Sequence, residues 1–74
     1  MPPRLRDIAR ALVKLGGRVE EPKGGGSHWR AIGANGMTYP IPAHNGAKSE
    51  IDDKYVKGMC RALGLDEAEL RGLL

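Results

Sequence analysis

Apolar residues recur along this chain in two rhythms, and the change of rhythm divides it. Leu5, Ile8, Leu12 and Leu15 fall at i, i+3, i+7 and i+10, one stripe of a helix, so the spacing predicts a helix over residues 3–15. Pro2 and Pro3 suit its first turn, where a missing N–H costs nothing, and Asp7 lies early enough to favour the helix dipole. Gly16-Gly17 supplies the stop. From residue 18 to 41 the period falls to two. Residues 18–22 predict a short strand, placed at an edge because Pro22 cannot donate to a ladder. Residues 28–32 predict a second strand, with Trp29 and Ala31 on one face and His28 and Arg30 on the other. Asn35-Gly36 predicts a hairpin into a third strand over residues 37–41, where Pro40 predicts a frayed or bulged end.

After a loop over residues 42–48 the helical rhythm returns. Ser49-x-x-Asp52 resembles a capping box with Asp in place of Glu, opening a second helix whose stripe is Ile51, Tyr55, Val56, Met59 and Leu63. Leu63-Gly64-Leu65 reads as a left-handed stop at Gly64 with Leu65 folding back. Asp66-x-x-Glu69 then caps a short final helix ending in Leu70, Leu73 and Leu74, and Cys60 flanks the preceding stripe as a packed thiol. Two amphipathic helices have to bury their stripes on one face of the three-stranded antiparallel sheet. The expected fold is therefore α+β, a two-layer α-β-β-β-α single domain over residues 1–74 with a short extra C-terminal helix. Its other sheet face, carrying His28 and Arg30, is left to water.

Composition narrows the picture without deciding it. A 74-residue chain buries only about 60% of the surface it exposes when unfolded, so it holds one core at most. Twelve Lys and Arg against nine Asp and Glu give a net charge of +3, which leans toward a polyanionic partner. A single cysteine excludes a disulfide framework and a C-x-x-C zinc site, and suits a reducing compartment. No apolar run approaches the roughly 20 residues of a membrane span, and the N-terminus lacks a signal-peptide core, so the expectation is a cytoplasmic protein that does not engage membranes. Arg6, Arg10 and Lys14 form a basic row on the first helix, either a solvated face or, set beside a basic loop, a track for phosphates.

The chemistry concentrates in Lys23-Gly24-Gly25-Gly26-Ser27-His28-Trp29-Arg30. Glycines let backbone N–H groups converge on a phosphate, and Ser27 can donate or accept a hydrogen bond. His28 can exchange protons near neutrality, while Lys23 and Arg30 can neutralise charge developing on a phosphoryl group. Together these parts suit cleavage of RNA by its own 2′-hydroxyl, a reaction that requires no metal or other cofactor. The glycine run is not a P-loop, since G-x-x-x-x-G-K-[ST] is absent, and the two histidines do not form a metal-ligand pattern. Trp29, of opposite parity to His28, reads as core beneath the helices.

Gly26-Ser27-His28 at the start of the second strand resembles the G-S-H motif of HicA toxins, small ribonucleases of bacterial toxin–antitoxin systems. A helix ending in Leu15-Gly16-Gly17 before a short strand is similar to that family as well. So are Pro42-Ala43-His44, like the family's P-x-H, and Ala62-Leu63-Gly64-Leu65 before an acidic capped turn. The resemblance runs from about Ile8 to Leu70. It implies a fold like a double-stranded-RNA-binding domain and cleavage of mRNA with His28 as the catalytic group. It also implies a cognate HicB-like antitoxin protein as partner. On this reading Lys23, Gly26, Ser27, Arg30 and His44 are RNA-binding candidates; His44 is otherwise a loop histidine bonding the backbone near Asn45-Gly46. Where the family carries lysines before its second helix, this chain has Glu50, Asp52 and Asp53 with only Lys48 and Lys54, which weakens phosphate contact there. Two other functions use the same scaffold: a non-catalytic module binding double-stranded RNA by shape, and a protein-binding domain.

Overall fold

The computed structural model describes residues 2–74. Its elements run α1 (Leu5–Lys14), β1 (Arg18–Glu20), β2 (His28–Ile32), β3 (Thr38–Pro42), a 3-10 turn (Gly46–Lys48), α2 (Asp53–Leu63) and α3 (Glu67–Gly72). This is the expected α-β-β-β-α order with a short last helix. The sheet is antiparallel in the order β1-β2-β3. Leu5, Ile8, Ala11 and Leu12 of α1 meet Val56, Met59, Cys60 and Leu63 of α2 in one core, with Ala31 and Ile41 from the sheet and Leu70 from α3. Trp29 packs against that core half-buried, while His28 and Arg30 are exposed on the opposite face.

The first helix starts later than its prolines suggest. Pro2 and Pro3 lie ahead of α1, because the adjoining backbone is committed to a tertiary pairing. Ile51 N donates to Pro3 O at 2.8 Å and Leu5 N to Ser49 O at 2.8 Å, with Arg4 and Glu50 bridged between them. Asp7 then accepts from Arg4 N at 3.1 Å and closes the N-terminus. The same pairing overturns the capping role expected of Ser49. Residues 49–51 are extended, α2 begins only at Asp53, and Ser49 is buried with its Oγ accepting from Asn45 N at 2.8 Å. Ile51 is core, but from this extended segment rather than from the helical stripe.

Pro40 neither frays nor bulges the third strand. The register runs unbroken from Ile32 opposite Thr38 to His28 opposite Pro42, with Arg30 opposite Pro40. Gly33 N donates to Met37 O and Ala43 N to Ser27 O at the two ends of this ladder, so the hydrogen-bonded positions of β3 are the odd ones. Pro40 and Pro42 are even, and their missing N–H groups fall on the open edge. Pro22 lies beyond β1, which ends at Glu20 rather than reaching residue 22. At the C-terminal side, Gly64 is left-handed at φ 68, Leu65 N donates back to Cys60 O at 2.8 Å, and Asp66 accepts from Ala68 N and Glu69 N at the start of α3.

Candidate active site

Strand parity and a hairpin register bring the candidate residues together. On the outer face of β2, His28 and Arg30 are successive side chains. Opposite Arg30 on β1 stands Glu20, and opposite them on β3 stand Pro40 and Pro42. Beyond β1 the chain turns through Pro22 and Lys23 before returning into His28. The result is one shallow, open depression lined by Glu20, Glu21, Pro22, Lys23, His28 and Arg30. Lys23, His28 and Arg30, three residues singled out in sequence, thus share a site.

Two carboxylates of this site were not legible as functional residues. Glu20 and Glu21 lie within a segment readable only as an edge strand, and their proximity to His28 depends on how β1 registers against β2. The usable signal was the parity of Glu20 relative to the hairpin. Its side chain is held by Arg18, whose Nε donates to Oε2 at 3.1 Å. The local charge balance is therefore mixed: Arg18, Lys23 and Arg30 against Glu20 and Glu21.

The glycine loop divides its labour differently from its sequence. Gly24 and Gly25 adopt φ 78 and φ 79, so they shape the turn, and their surroundings are open. Gly26 lies outside the left-handed region, and a Cβ there would meet only Pro22 Cβ at 3.7 Å. Ser27 is half-buried, and its carbonyl accepts from Ala43 N at 2.6 Å, which ties the loop end to the segment after β3.

That tie brings Ala43 and hence His44 to the same end of the sheet as His28, yet the two imidazoles line different depressions. His44 shares its depression with Pro42, Glu50, Ile51, Asp52, Lys54 and Tyr55. Among the described residues its ring makes no hydrogen bond; Ser49 Oγ and the Gly46 N to Ala43 O bond at 3.1 Å hold the Asn45-Gly46 turn instead. Two carboxylates, Glu50 and Asp52, against one lysine make this second depression a poor phosphate contact. The basic row of α1 is not beside the loop either. Arg6, Arg10 and Lys14 are exposed on the side of α1 turned away from its buried stripe, so they lie on the helix layer and not on the His28 face.

Among the described residues, no three His, Cys, Asp or Glu side chains gather as a metal ion would require. Among the same residues, no helix is long and apolar enough to cross a membrane. Comparison with protein-family models and with curated protein sequences found no match.

Proposed function

We propose that this protein is a HicA-like, metal-independent endoribonuclease, cleaving mRNA by transfer of the phosphodiester to its own 2′-oxygen. The observation that carries this reading is His28 standing in one solvent-open depression with Lys23, Arg30 and two carboxylates, on a sheet face that none of the described residues covers. An imidazole there can exchange a proton with the reacting oxygens. Two cations can balance the charge that builds on the phosphoryl group. Gly26 and Ser27 precede His28 in the chain without lining the depression, and on this reading their backbone N–H groups are further candidates for the phosphate.

The mixed charge favours catalysis over simple RNA binding. A surface that only holds RNA gains from every cation and loses from every carboxylate, since affinity follows the number of phosphates neutralised. Glu20 and Glu21 beside His28 oppose passive binding but are useful to proton transfer. The same uncovered face is the surface a HicB-like antitoxin would occupy, and blocking it would silence the enzyme.

Incubating end-labelled RNA with the protein in EDTA tests the reading. Products ending in a 2′,3′-cyclic phosphate are expected from the wild type. His28→Ala, which alters an exposed side chain, is expected to fold normally and cleave about 10²–10⁴-fold more slowly. A salt-sensitive gel shift with no products would instead identify an RNA-binding module.

A further inference from the structure

We propose that Glu20 is the general base of this site and His28 its general acid, an assignment that rests on the ribonuclease reading above. Glu20 lies on β1 directly opposite Arg30, and His28 is two residues before Arg30 on the same outer face. Glu20 and His28 are therefore diagonal cross-strand neighbours. Such pairs stand roughly 7–8 Å apart at the backbone, which leaves room for one phosphodiester between the side-chain ends. Both side chains line the same depression, and so does Arg30, which stands directly across from Glu20 and next to His28 on the outer face, within reach of a phosphoryl group held there. Arg18 binds Oε2 of Glu20 at 3.1 Å, which fixes the carboxylate while leaving its second oxygen available.

Proton inventory sets the direction. A carboxylate at neutral pH carries no proton and can only accept one, whereas an imidazole can hold one to give. In the step, Glu20 takes the proton of the 2′-hydroxyl as the 2′-oxygen bonds to phosphorus. The bond from phosphorus to the 5′-oxygen breaks, and His28 delivers its proton to that leaving oxygen. The products are a 2′,3′-cyclic phosphate and a free 5′-hydroxyl, with one proton moved from substrate to Glu20 and one from His28 to product. Glu21 has the opposite parity and lies past the strand end, so it is the rim carboxylate and not the base.

The groups facing the pair are Arg18 from β1, Arg30 from β2, and Glu21 and Lys23 from the connecting loop. With both proton-transfer groups at work, kcat/KM should trace a bell against pH. Glu20→Gln is expected to lower cleavage about 10²-fold or more and to remove the acid limb of that bell. A substrate with sulfur in place of the 5′-bridging oxygen separates the roles, because its leaving group needs no proton. His28→Ala should recover nearly wild-type cleavage on that substrate, and Glu20→Gln should remain slow.

Several results overturn the assignment while leaving the ribonuclease reading intact. One is wild-type cleavage of ordinary RNA by Glu20→Gln when His28→Ala is inactive. Another is a larger loss from Glu21→Gln than from Glu20→Gln. A third is rescue of Glu20→Gln rather than His28→Ala by the sulfur substrate. A folded wild type inert toward RNA would instead remove the ribonuclease reading itself, and the assignment with it.

Discussion

Gly17 and Gly26 look interchangeable in composition, yet their surroundings differ sharply. A Cβ on Gly17 would lie 2.3 Å from Ile32 O, a backbone atom of the central strand that cannot move aside without breaking its ladder. Gly17→Ala is therefore expected to destabilise the fold by about 2 kcal/mol or more, within the 1–3 kcal/mol of overpacking or above it, read as a lower urea midpoint. Gly26 presents only a 3.7 Å contact to Pro22 and an ordinary backbone conformation, so Gly26→Ala should change the unfolding free energy by no more than about 0.5 kcal/mol and leave the urea midpoint close to wild type. Any loss of RNA cleavage in Gly26→Ala would then report on close approach of the substrate backbone. Between them, Gly25→Ala forces a side chain into left-handed φ and should cost about 1–2 kcal/mol locally. The G-S-H glycine is thus the one member of its run whose replacement separates function from folding.

Among the elements, those set by local signals were the ones legible in the sequence. The period of α1, the bounds of β2, the Gly64 stop and the Asp66 cap all depend on residues within a few positions of one another, and all are present. What was not legible depends on distant partners. The extended residues 49–51 pair with the chain before α1, so Ser49 serves a turn instead of a helix, and no local pattern encodes that. The site divides in the same way: His28 and Arg30 follow from strand parity, whereas Glu20 enters through register and His44 leaves through a turn. Asp66 offers a clean local test. Its Oδ1 accepts from Ala68 N at 2.8 Å and Glu69 N at 3.3 Å, so Asp66→Ala should cost about 1 kcal/mol and loosen α3. Cys60 offers another, on α2. Burial, reinforced by Glu67 and opposed by Arg71, pushes its thiol pKa up. The folded chain thus keeps the proton to higher pH than the unfolded one. Stability from this group is complete below the unfolded thiol's pKa and is lost as pH rises through the folded value. Urea midpoints should consequently fall more steeply into alkaline pH for wild type than for Cys60→Ala, and iodoacetamide should label native Cys60 only as fast as the chain opens.

At the scale of the whole molecule, a three-stranded sheet has two edges and one uncovered face, and each open edge invites another strand. The β1 edge is only three residues long. The β3 edge is five residues long, but its outward positions include Pro40 and Pro42, so two of the N–H groups a docking strand would need are missing. Pro40, which reads in sequence as a defect of the strand, and Pro42 after it therefore leave this edge short of the donors that a further strand would use. Restoring both N–H groups with Pro40→Thr and Pro42→Thr turns β3 into a competent edge of strong β propensity without touching the core, since both positions face away from Ala31 and Ile41. Sedimentation velocity over a concentration series should show the double variant associating at concentrations where the wild type does not. Pro40→Ala and Pro42→Ala together should associate too, because the restored donor and not the threonine side chain is the cause. Equal sedimentation of all three proteins would show that the prolines do not guard this edge.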